Sequence, residues 1–198
     1  LKPAGVLSTD EPGGMPELLR RALGEPETGC VRTVHRLDRP VGGVMVYARP
    51  PAAAAGLSRQ IAARQLHKEY LAVVQGCPAE DSAVLRDLLF WDRAKNKSFV
   101  VKRQRGGVKD AELEYSLLEA LPELSLLRVI LHTGRTHQIR VQFASRGFPL
   151  LGDGKYGSRD NRCTCALWSF RLTLPTGSRP QTFEALPPHQ YPLTQFPL

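Results

Sequence analysis

The chain has no apolar run long enough to cross a bilayer; its longest, such as residues 42–48, fall far short of the roughly 20 residues that a spanning helix needs. Cysteine is scarce, 4 in 198 residues, which excludes a disulfide framework and makes a reducing, cytoplasmic compartment the expectation. There is no Gly-x-x-x-x-Gly-Lys-Ser/Thr loop and no Gly-x-Gly-x-x-Gly turn, so a nucleotide cofactor has no handle. No His-Glu-x-x-His pair marks a zinc enzyme. No secretory pattern opens the chain, and no initiator methionine does either. Leu1-Lys2-Pro3-Ala4-Gly5 therefore reads as the interior of a longer protein whose beginning is cut off.

What is present is the composition of a soluble globular protein, 42% apolar and 23% charged, with a mean hydropathy of −0.25. The length suits one domain with a real core, so residues 1–198 are read as a single domain, monomeric by default. Lys plus Arg outnumber Asp plus Glu by 27 to 19, a net charge of +8. A surface this basic favours a polyanion such as RNA or DNA, although a basic protein without such a partner carries the same charge.

Periodicity and breakers predict mixed structure. Residues 15–23 form a short helix stopped by Gly24. The apolar run 43–48 suits a strand buried on both faces. Pro50 and Pro51 start a helix to about Gln65, with Ala54, Leu57 and Ile61 toward the core. Further strands are expected at 70–74, 98–102, 111–118, 125–131, 166–174 and 182–185. A second helix spans 136–145, with Thr136 as N-cap and Gly147 just past its end. Many strands with few, irregularly spaced helices imply an α+β fold with a mixed, largely antiparallel sheet and flanking helices.

Four segments have the residue types for chemistry. His35-Arg36-Leu37-Asp38-Arg39-Pro40 sets one carboxylate between two arginines ahead of a Pro-Gly loop. Close arginines would keep Asp38 ionised, as a nucleophile or a base; a surface ion pair at a turn is the competing reading. Lys68-Glu69-Tyr70 places Lys68 and Tyr70 on one face of a strand, to hold phosphate and to stack on a base or move a proton. An edge-strand tyrosine with its hydroxyl at the surface is the alternative. In 131–141, a helix capped by Thr136 would aim backbone N–H groups at an anion, with His137 and Arg140 on one helical face. A plain helix start competes with this, and so, more weakly, does a metal pair of His132 and His137. Arg93–Lys109 carries seven basic residues and no acid around Phe99, Val100 and Val101; it reads as a basic hairpin for RNA backbone contact or as a solvated face. Cys30, Cys77, Cys163 and Cys165 lack zinc-site spacing and read as buried small side chains.

Together and in this order, the segments resemble the RluA family of pseudouridine synthases over nearly the whole chain. Lys2-Pro3-Ala4-Gly5 is similar to the end of its Asn-Lys-Pro-x-Gly opening. His35-Arg36-Leu37-Asp38 resembles the signature around its catalytic aspartate, and Lys68-Glu69-Tyr70 its Lys-x-Tyr strand. Residues 133–140 resemble Thr-Gly-Arg-x-His-Gln-Ile-Arg, and 149–157 resemble Pro-x-x-Gly-Asp-x-x-Tyr-Gly. The chain departs from the family after the aspartate, with Val41-Gly42-Gly43 where Thr-Ser-Gly is usual, and after Arg140, with Val141-Gln142 where Val-His is common.

The resemblance implies a pseudouridine synthase fold with a central catalytic cleft, without an N-terminal S4-like domain. It implies isomerisation of a specific uridine in rRNA or tRNA, the base flipped out, with no metal or organic cofactor. Asp38 would be the nucleophile, Tyr70 would pack on the base and help remove the C5 proton, and Arg140 would orient and neutralise Asp38. Arg36, Lys68, Arg135 and His137 would hold RNA or the flipped nucleotide. An inactive RNA-binding module of the same fold is the alternative.

Overall fold

The computed structural model describes residues 1–176 and 179–196. In chain order the helices and strands are α1 (Met15–Ala22), β1 (Arg32–Thr33), β2 (Gly42–Gly43), β3 (Tyr47–Ala48), α2 (Pro51–Ala62), β4 (His67–Gln75), β5 (Ser82–Asp92), β6 (Lys97–Val101), β7 (Val108–Ala120), β8 (Leu124–Leu131), α3 (Gln138–Ala144), β9 (Leu167–Leu174) and β10 (Gln181–Glu184). They fall into two compact units, 1–68 with 169–186, and 69–168 with 187–198.

In the first unit, β10 pairs antiparallel with β9, β2 also pairs with β9, and β1 and β3 form a separate two-stranded ladder. Val44, Leu66, Leu172 and Leu174 make its core, against which Leu57 and Ile61 of α2 pack, as their helical spacing predicts. The run 43–48 is not one strand. Gly43 has φ +124 and lies so close to β9 that a Cβ there would stand 2.2 Å from the Ser169 carbonyl oxygen. That backbone ends β2 after two residues, and the chain resumes as β3 beside β1. Helix α2 stops at Ala62 rather than about Gln65, with Arg64 in the left-handed region just beyond.

The second unit is a sheet of order β4-β8-β7-β5-β6 with every neighbour antiparallel, which bears out the α+β reading. Leu71 to Val74 of β4 are all buried. β4 is held by β8 on one side and, at Val73, by backbone bonds with Leu151 and Ala166. β7 runs in period two from Ala111 to Tyr115, and Pro122 sits in the turn to β8, closed by Leu121 N–H on the Leu124 carbonyl at 2.8 Å. Against this sheet lies α3, where Val141 meets Leu89 and Ala111, and Phe143 meets Tyr115 edge-on at 5.5 Å.

Four readings of the sequence need correction here. β5 was not anticipated: exposed Val84 and the polar Arg86-Asp87 pair interrupt its apolar pattern, and the strand exists because β6 and β7 pair with it on either side. Arg93–Lys109 is accordingly not a hairpin of its own but the β5–β6 turn, β6, and the connection to β7. Helix α3 begins at Gln138, not at Thr136; its N-cap is His137, in the left-handed region at φ 54, with no side-chain cap. The anion site expected of a Thr136-capped helix therefore does not form. None of the four cysteines is in a disulfide; only Cys165 is buried, and Cys77 is exposed.

Candidate functional site

Asp38 lies in the first unit at the start of a turn closed by Val41 N–H on the Asp38 carbonyl, 2.9 Å. The N-terminal segment ties this turn down. Lys2 is fully buried and forms an antiparallel bridge with Gly43. Its ammonium donates to the carbonyls of Val41 at 2.6 Å, Pro3 at 3.0 Å and Arg39 at 3.2 Å, three donors for three acceptors. Burial pulls its pKa down to about 8 against the attraction of the Asp38 carboxylate, so at neutral pH a charged lysine sits under the loop. Buried Ser8 grips both the carbonyl and the N–H of Leu37, at 2.8 and 3.1 Å. Arg39 Nε donates to the Gly5 carbonyl, 2.9 Å. Asp38 is thus half-buried on a backbone fixed on both sides, while Arg36 is exposed.

His35 is placed in the same unit as an acceptor: Val46 N–H donates to its Nε2 at 3.1 Å. Burial, assisted by the positive charge of Lys68, lowers its pKa to about 4, and burial lowers that of Lys68 as well. The unfolded imidazole takes a proton near its ordinary 6.5, the folded one only near 4. Stability should therefore fall as pH drops through that window, by on the order of 2–3 kcal/mol at its lower end. Urea midpoints of the wild type and His35→Gln between pH 7 and 4 check this: the variant's curve is expected to be flatter, and parallel curves would refute the assignment.

The second unit holds Tyr70 and Arg140. Tyr70 is buried at 5% exposure, opposite Val129 in the β4–β8 register, so the edge-strand reading fails. Arg140 on α3 is also buried, and its Nε and Nη2 meet Asp153 at 2.6 and 2.8 Å. Asp153 is presented by a tight loop in which Gly152, at φ +76, has no space for a Cβ beside the Cys163 carbonyl. Asp153 in turn accepts backbone N–H bonds to its carbonyl from Tyr156 and Ser158. The Arg140 guanidinium lies 5.1 Å from the Tyr156 ring centroid. The Tyr156 hydroxyl takes the Ser98 N–H at 2.9 Å and meets His137 Nδ1 at 2.9 Å. Trp91 stands edge-on to His137 at 5.3 Å.

The left-handed turn at His137 is held by Gln138, whose Oε1 accepts from Thr133 Oγ1 and Arg135 N–H. Arg135 is half-buried, with Nε on the Asp110 carbonyl. His132 faces Glu114, 3.6 Å away, so the two histidines engage different partners; no group of three metal-ligating side chains occurs among the described residues. In the sequence Lys2, Asp153 and Tyr156 stand only as parts of motifs, with no role of their own. The signal for Asp153 and Tyr156 was their spacing in 149–157; nothing in the sequence marks Lys2 as buried.

Residues 1–145 match the family model described as RNA pseudouridylate synthase. Among curated proteins, the ribosomal large subunit pseudouridine synthase C of Haemophilus influenzae is 31% identical over 202 aligned positions, covering 96% of this chain and 62% of that one. An uncharacterized RNA pseudouridine synthase of Chloroflexus aurantiacus is 38% identical over 168, covering 80% and 51%. The chain spans about half the length of the curated relatives it matches. Among solved structures, human RNA pseudouridylate synthase domain containing 1 superposes with a TM-score of 0.80 at 24% identity, covering 96% of this chain and 79% of that one, a likeness of fold.

Proposed function

The chain belongs to the RNA pseudouridylate synthase family, and on that premise we propose that it isomerises a specific uridine of ribosomal or transfer RNA to pseudouridine. The observation that carries this reading is the Asp38 turn, a carboxylate held half-buried on a backbone clamped by Lys2 and Ser8. In the reaction the bond from uracil N1 to ribose C1′ breaks, the base turns, a bond from C5 to C1′ forms, the C5 proton leaves and N1 takes up a proton. Atoms balance without a co-reactant. Asp38 attacks the nucleoside, whether at the sugar or at the base, the bond it forms breaks again before the product leaves, and a fixed turn keeps the carboxylate in an attack geometry at no ordering cost during the reaction. Tyr70 packs on the uracil and assists removal of the C5 proton. Arg140, oriented by Asp153, supplies the positive charge that neutralises the carboxylate, and Arg36, Lys68, Arg135 and His137 hold the extruded nucleotide. Extruding a base costs a few kcal/mol, which contacts to phosphate offset.

The test is to incubate the protein with total RNA carrying tritium at uracil C5 and count the label released to water. Isomerisation must release it and binding cannot. Release by the wild type is the expected result; RNA retained with no release would favour an inactive RNA-binding module instead.

A further inference from the structure

The net charge of the protein is unevenly placed. Arginines in much of the molecule sit on carboxylates, among them Arg20 on Asp10, Arg86 on Glu112 and Arg146 on Asp87. The stretch from Arg93 to Lys109 has seven lysines and arginines and no acid, and none of them forms an ion pair among the described residues. The sheet brings them together: β5 and β6 pair from Leu88–Val101 to Asp92–Lys97, so the turn carrying Arg93 and Lys95 closes one end of the hairpin. At its other end β6 leads into the connection carrying Lys102, Arg103 and Arg105 before β7 returns beside β5.

We propose that this basic margin of the β5–β6–β7 sheet is a contact surface for the phosphate backbone of a double-helical RNA segment, distinct from the residues that act on the target nucleotide. The inference rests on the reading of the chain as an RNA-modifying enzyme and adds a subsite to it. The aromatic rings of this margin already carry cations. Lys95 and Lys97 approach the Phe99 ring at 5.7 and 5.8 Å, and Arg105 approaches Phe90 at 4.9 Å. Rings occupied in this way are not platforms for stacked bases; they hold the long cationic stems upright. Seven cations with no acid among them match the charge of a phosphate backbone, the contact that supplies sequence-independent affinity. No large apolar side chain between Arg93 and Lys109 is exposed, so the margin lacks the wedge that a membrane surface would take and the anchor that a protein partner would need.

The experiment titrates a fluorescent 20-base-pair RNA duplex across salt, using wild type, Arg93→Gln/Lys95→Gln/Arg103→Gln, and a control Arg59→Gln/Arg64→Gln on and just beyond α2. Each lost duplex phosphate contact lowers the slope of log K against log salt by about 0.9. The triple variant is expected to lose about 2–3 from the slope and between about 10- and 100-fold in affinity at 0.15 M salt, while the control moves little. Its tritium release at saturating labelled RNA should stay within about twofold of wild type. Unchanged affinity and slope in the triple variant, or equal losses in the control, overturn the proposal even if the wild type is active. A wild type that releases no tritium while the triple variant alone loses duplex affinity overturns the catalytic reading and leaves this surface standing.

Discussion

Asp38→Asn is expected to lower tritium release by on the order of 10⁴-fold or more while leaving RNA affinity within a few-fold of wild type. An amide has the shape of the carboxylate but cannot serve as the nucleophile. The loop should survive the change, because its clamps are on backbone atoms: Lys2 on the carbonyls of Pro3, Arg39 and Val41, and Ser8 on Leu37. Removing the negative charge takes away the attraction that opposes the burial of Lys2, so the Lys2 pKa should move further below about 8. Stability at neutral pH is then expected to change by about 1 kcal/mol or less. Single-turnover release and filter binding, run beside a urea melt, separate these effects. Release above about a hundredth of the wild-type rate from a fully folded variant would remove Asp38 from the nucleophile's role.

The second large effect concerns Asp153. Asp153→Asn leaves the Arg140 guanidinium buried with its bidentate carboxylate gone, and breaking a buried pair at one partner costs about 3–5 kcal/mol. The pair is well formed, at 2.6 and 2.8 Å, with side chains 6% and 2% exposed. A urea midpoint shift of that size and a loss of tritium release are expected together, which alone would not distinguish unfolding from chemistry. Arg140→Met/Asp153→Leu makes the distinction. Removing both charges relieves the unpaired burial, so most of the lost stability should return, and release should not. A double variant that regains both would show the pair to be structural only. One that regains neither would show that other partners of Arg140 carry the energy.

Strands β4, β8 and β9 were legible because their apolar residues are local evidence: a run such as Leu71 to Val74 has few solutions other than a buried strand. The residues proposed for catalysis were legible for a different reason, as chemistry-bearing types in recurring motifs. β5 was not, since residues such as Val84 and Arg86 face solvent or partners on a neighbouring strand, and only β6 and β7 give Ser82–Asp92 its ladder. The run 43–48 misled because a continuous apolar pattern does not report that Gly43 must touch the backbone of Ser169, 126 residues away in sequence. At Thr136 a good capping residue lost to Gln138, whose side chain closes the loop onto Thr133 and Arg135 and forces His137 into the left-handed turn.

By itself the sequence determined the fold class and the family likeness and singled out the side chains proposed here as reactive, because those follow from residue type and near-neighbour spacing. Only the tertiary structure decided that Lys2 lies under the Asp38 turn, that Asp153 grips Arg140, and that the Tyr156 hydroxyl meets His137. Each of these is a polar group removed from water, and its partner is chosen by whichever backbone or side chain the fold brings within hydrogen-bonding distance. Separations of 39 residues for Lys2 and Val41, and of 19 for His137 and Tyr156, put that choice beyond any local pattern.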